Sequence, residues 1–143
     1  MYLKALSDDE KQAFLELAYL AARADRILAL EEYELWRAFR WELGLPDDRY
    51  SVRDLSLTEA AAVFKSDRSR RIALVELIGL VMADGVEAPA ETGFVQELAG
   101  LFGLDGVFVD ACFAWVKRHG VVMAEGRGLV DGDPAIVRAA VGH

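Results

Sequence analysis

The sequence predicts an all-α fold: a single compact domain of about seven helices, with a pseudo-twofold internal repeat, spanning residues 1–143. Three observations predict it. Apolar residues recur at helical spacing between recognisable caps, and no stretch alternates convincingly with period two. A motif also occurs twice: Ala24-Asp25-Arg26-Ile27-Leu28-Ala29-Leu30-Glu31-Glu32 returns 59 residues later as Ala83-Asp84-Gly85-Val86-Glu87-Ala88-Pro89-Ala90-Glu91. The register holds through Gly44-Leu45 and Gly103-Leu104, giving six identities over Ala24–Leu45, where about one or two arise by chance. The repeat halves span about 7–45 and 66–104, and 121–143 forms a C-terminal tail.

Each element has a local reason. Ser7 and Glu10 make a capping box, followed by Phe14, Leu17, Ala18, Ala21 and Ala24 on one helical face. A second helix over about Leu30–Leu43 carries the stripe Leu35, Phe39 and Leu43, and Gly44 stops it. Leu45–Leu55 reads as a polar connector. Ser56 and Glu59 form another capping box, opening a short helix to about Lys65. Ser66 or Asp67 caps the next, to about Ala83, which is apolar nearly all round and therefore central. Pro89 suits the first position of a helix ending at Gly103. Asp105 caps another, expected to end near Arg118, with Gly120 just past it. Val121–Asp133 is glycine-rich without a clear period, and Asp133-Pro134 opens a last short helix to about Val141.

Composition narrows the function classes. The chain has 16 basic and 24 acidic residues, a net charge of −8. That disfavours nucleic acid and anionic membrane surfaces, and favours cations or basic partners. Arg68-Ser69-Arg70-Arg71 reads as a solvated helix start. The single Cys112, among apolar neighbours, reads as a buried thiol rather than a nucleophile. The longest apolar run, Ile72–Ala83, contains Glu76 and is shorter than the roughly 18–20 residues of a membrane span. Glu76 itself is expected to pair with an Arg or to sit at an exposed edge. Ser7–Gln12 interrupts any leader-like run, so a cytoplasmic location is expected. His119 reads as the end of a helix, and no catalytic constellation or phosphate-binding loop stands out.

Leu6–Glu32 and Phe64–Glu91 carry a resemblance to the TerB-like tellurite-resistance family. The shared pattern is a helix ending in Ala-Asp, a loop with Ile or Val, and a Glu seven residues after the Asp, used twice: Asp25/Glu32 and Asp84/Glu91. The resemblance implies an all-α fold of about seven helices and an acidic patch where the two loops meet. It implies that Asp25, Glu32, Asp84 and Glu91 hold a divalent metal, and a bacterial stress context with assembly at the membrane. Four carboxylates suit Ca²⁺ or Mg²⁺ rather than zinc. Arg26 stands where the family has Gly, which makes the second loop the stronger half-site. The residues by themselves allow a plainer role, in which each carboxylate accepts backbone N–H bonds of its own loop or of the following helix.

The reading is a non-catalytic interaction module that binds a protein partner and no nucleic acid and does not insert into a membrane, with self-association left open. A metal-dependent enzyme and a purely structural helical protein are the alternatives. Trp41 projects opposite the Leu35–Phe39–Leu43 stripe, so it is either covered by the connector or tail, or a partner-contact anchor. The helix after Asp105 carries two apolar stripes, and the second, Val109/Phe113/Val116, is available to the tail or to a partner.

Overall fold

The structure, a computed structural model, describes residues 2–24, 41, 55–82 and 89–142. Among these are a short 3-10 turn (Leu3–Ala5) and six α-helices: α1 (Asp8–Ala24), α2 (Leu57–Ala62), α3 (Asp67–Val81), α4 (Pro89–Phe102), α5 (Gly106–Val130) and α6 (Pro134–Val141). Trp41 is helical too. No strand occurs among the described residues, so the chain is all-helical there. The expected Leu30–Leu43 helix, apart from Trp41, lies outside them. So does the second member of the first repeat half, and with it the comparison of the two halves.

The caps form where the sequence places them. Ser7 Oγ accepts from the Glu10 N–H at 3.2 Å, and Glu10 Oε1 accepts from the Ser7 N–H at 3.0 Å. Ser56 and Glu59 repeat the arrangement at the start of α2. Ser66 rather than Asp67 caps α3, with Ser69 completing the box. Asp105 Oδ1 accepts from the Phe108 N–H at 2.8 Å, and Asp133 Oδ1 from the Ala135 N–H at 2.9 Å. Each cap satisfies a backbone donor that the helix itself leaves orphaned. At the end of α4, Gly103 takes φ +72°, and the Leu104 N–H reaches the Ala99 carbonyl at 2.9 Å. That left-handed step suits glycine because it carries no Cβ.

Helix α3 is the hub. It packs on α1, α4, α5 and the 3-10 turn. Ala73, Leu74, Leu77 and Ile78 are fully buried on it. Helix α1 contributes Phe14, Leu17, Ala18 and Ala21 as its periodicity predicts, but its burial is wider, taking in Ala13, Leu15 and the polar Gln12 and Glu16. The chain after α2 inserts Phe64, whose ring meets Phe102 edge-to-face at 5.5 Å. From α4 come Val95, Leu98 and Ala99, and from α5 Val109 and Cys112. The Arg68–Arg71 run is only partly solvated. Arg70 Nε donates to the Phe64 carbonyl at 3.1 Å, and its guanidinium lies 3.8 Å from Asp67.

Two expectations are corrected. The helix after Asp105 does not end near Arg118 at Gly120. It runs 25 residues to Val130, through Gly120, Gly126 and Gly128. A glycine inside a helix costs about 1 kcal/mol relative to alanine, which is too little to stop it. No N-cap residue followed by proline offers a fresh start until Asp133-Pro134. The true stop is Gly132, at φ +72°, with the Asp133 N–H on the Gly128 carbonyl at 2.9 Å and the Gly132 N–H on the Leu129 carbonyl at 3.1 Å. His119 accordingly lies inside α5, stacked on Trp115 at 5.5 Å. The second correction is Glu76, which is buried rather than at an edge. It accepts from the Tyr2 backbone N–H at 2.6 Å, tying the N-terminal segment to the hub helix.

Two outcomes follow for stability. Leu77→Ala should cost about 2–5 kcal/mol, as for a large-to-small change in a packed core. A denaturant titration measures it, and a loss under about 0.5 kcal/mol would mean α3 is not the hub. The second concerns acid. Burial raises the Glu10 carboxyl, but hydrogen bonds from the Ser69 side chain, from the Ser7 N–H and hydroxyl, and from the Lys65 N–H outweigh it and hold it below its usual value. A depressed carboxyl stabilises the fold above its unfolded-state pKa, and that contribution is lost as pH falls through the folded-state value. Glu10→Gln should therefore flatten the decline of stability on the acid side of about pH 4.5. Melting curves recorded against pH check this. An unchanged slope would show that the Glu10 contacts do not persist in solution.

Candidate functional site

The four carboxylates of the repeated motif are described unequally. Asp25, Glu32 and Asp84 lie outside the described residues. Glu91 lies inside them, in the first turn of α4, only 3% exposed. A carboxylate there is favoured by the positive end of the helix dipole, and it keeps polar contacts within the protein. Among the described residues, no three metal-ligating side chains come together. The expected meeting of the two acidic loops lies outside what is described.

Two further carboxylates are buried in the helical body. Glu16 is fully buried on α1 and accepts from Gln12 Nε2 at 3.2 Å. Glu76 is held as described above. Burying a charge is costly unless partners replace water, and both have such contacts. Their place inside the core, each interrupting an apolar face, gives them a part in holding the fold.

Helix α5 carries the largest chemical asymmetry. Its first half faces the core with Val109 and Cys112, while Phe108, Phe113 and Val116 pack beside them. The Val109/Phe113/Val116 stripe is thus packed on the core, Val109 buried and Phe113 and Val116 partly so. Cys112 lies in the same face, and burial pushes its thiol pKa up, which keeps it protonated and unreactive. Beside it lies an open depression of about 360 Å³, lined by Tyr2, Val75, Ala111, Cys112, Trp115 and Arg118.

Beyond His119 the helix carries a different surface. Val121, Val122, Met123, Leu129 and Val130 all stand at solvent, Val130 at 88% exposure. Helix α6 folds back on α5 through the Asp131–Asp133 turn. It brings Ile136 so close to Gly128 that a Cβ there would sit 2.7 Å from the Ile136 side chain. Helix α6 has no fully buried residue, and Val137 and Val141 are exposed on it. The result is a two-helix hairpin presenting seven large apolar side chains to water.

The sequence reading missed this surface because it ended the helix at Gly120. The signal was available in the spacing Val109, Cys112, Val116, His119, Met123, Gly126, Val130, an alternation of three and four that passes through Gly120 without a break. Trp41 is also exposed, at 87%. No family model matches the chain, and no curated protein or solved structure shows significant similarity to it.

Trp41→Ala should cost less than about 1 kcal/mol in a denaturant titration, as for a surface change away from the core. A loss of several kcal/mol would show that Trp41 is covered in solution and is no contact anchor.

Proposed function

We propose that the chain is a non-catalytic interaction module of the TerB-like kind, engaging a protein partner in a bacterial stress or tellurite-resistance setting. The observation that carries this reading is the apolar surface of the α5–α6 hairpin. Monomeric proteins rarely leave more than a few hundred Å² of apolar surface together at solvent. Seven exposed aliphatic side chains within 21 residues exceed what scattered surface hydrophobes account for. The exposed Trp41 is a second contact element, since aromatic side chains dominate the energetics of many interfaces.

The metal part of the reading rests on the sequence resemblance. Asp25, Glu32, Asp84 and Glu91 are the hard oxygen donors that Ca²⁺ or Mg²⁺ prefers. The second loop, with Gly85 and without the neighbouring Arg26, is the stronger half. In this module the ion orders the loops and does no chemistry. Metal-assisted catalysis needs an acid, base or nucleophile beside the ion, and the motif supplies only the carboxylates themselves.

The test is a titration of the full chain with Ca²⁺ and with Mg²⁺, followed by backbone NMR. Shifts centred on Asp84–Glu91, and abolished by Asp84→Asn, are expected. No response at millimolar metal, with an unchanged melting temperature, leaves the carboxylates in backbone-capping roles and removes the ion from the reading.

A further inference from the structure

We infer that the α5–α6 hairpin is a homodimerisation element: it packs against the same hairpin of a second copy of this chain, forming a four-helix seam outside the main core. The inference rests on the module reading and names its partner.

The first argument is the pattern along α5. Val109, Cys112 and Val116 lie on the face that packs into the core. The same face continues, at the same spacing of three and four, through His119, Met123, Gly126 and Val130. Exposure rises along it, from the buried Val109 and Cys112 to the almost fully exposed Val130. A seam with this alternation is the pattern by which one helix accepts the side chains of another. Inside the body the covering helices are present; beyond His119 that face stands open. At about 1.5 Å per residue, the ten residues Val121–Val130 give roughly 15 Å of helix for such packing.

The second argument is area. The exposed apolar side chains of the hairpin amount to something on the order of 600 Å² per copy, near the ~800 Å² per partner of a stable interface and at the top of the range for a lone monomer patch. Two-helix hairpins also meet this need by simple geometry, since two of them close into an antiparallel bundle.

The third argument is charge. From Val121 onward the hairpin carries three acidic residues (Glu125, Asp131, Asp133) against two basic ones (Arg127, Arg138), a net charge of −1, while the whole chain is at −8. A basic protein would be drawn to the acidic remainder of the chain rather than to this near-neutral end, and an anionic membrane would repel the chain. A second hairpin meets the first with little like-charge repulsion. It also offers cations and anions of both signs for cross-pairing at the rim.

Sedimentation velocity and light scattering of the full chain across the micromolar range test the inference. The wild type is expected as a dimer. Met123→Asp and Val130→Asp should each weaken the dimer at least about 100-fold, because a charge would be buried at the seam, while the melting temperature of the dilute monomer stays unchanged. Val107→Asp, also exposed on α5 but off the stripe, should leave the dimer intact. A wild type that is monomeric throughout overturns the inference, and so does a dimer that survives both stripe variants. Two results would point to another occupant and equally reject the second copy. One is a monomer that binds phosphatidylcholine–phosphatidylglycerol vesicles. The other is a monomer whose melting temperature falls in the Asp variants, which would mean the chain covers its own stripe. A monomer whose stripe variants lose capture of a different protein rejects the dimer while the module reading stands; a monomer that captures nothing brings down both.

Discussion

The fold depends on one constraint: α3 has no polar face beyond its first turn, so it must be covered on every side. A helix with a single apolar stripe needs one neighbour, but α3 requires several. The 3-10 turn, α1, α4 and α5 supply them. This explains why elements far apart in sequence converge on residues 72–81. It also explains why α1 is buried more widely than its own periodicity demands. Packing against α2, α3 and α4 together covers more than one stripe.

Covering α3 this thoroughly brings carboxylates into the interior. Glu16 and Glu76 each interrupt an apolar face and are buried with it. Each accepts a hydrogen bond within the protein, Glu16 Oε1 from the Gln12 amide and Glu76 from the Tyr2 backbone N–H. The second of these anchors the N-terminal turn on the hub. Removing the polar partner from such a group leaves its desolvation uncompensated, which is why buried polar pairs resist change from either side. Glu91 belongs to the same set by burial, but its position in the first turn of α4 adds a favourable helix dipole.

The same helix that helps cover α3 also leaves the body. Along α5 the apolar face begins as core and ends as surface, with Trp115 and His119 stacked near the midpoint. Glycine lets this arrangement close on itself. At Gly128 the missing side chain lets α6 approach to van der Waals contact, and at Gly132 it permits the left-handed turn that reverses the chain. The glycines that weaken α5 as a helix are thus partly those that build the hairpin. The outcome is a helical body joined to an extension with an exposed apolar surface.

Local chemistry was legible in the sequence, because its causes are local. The capping boxes at Ser7 and Ser56, the cap at Asp105, the stop at Gly103 and the all-round apolarity of α3 each follow from residues within one or two turns of each other. They hold in the structure for that reason. The repeated Asp–Glu motif was equally legible as a pattern, but its chemistry depends on where two loops stand in space, and only the burial of Glu91 bears on that. Three things were decided by tertiary structure. Glu76 was placed in the core because the hub had to be covered and the Tyr2 N–H could satisfy it. Gly120 was carried through a helix because a glycine's local penalty is small beside the cost of ending a helix without caps. The exposed face of α5 followed, since whether an apolar stripe is core or contact surface depends only on whether a neighbour reaches it.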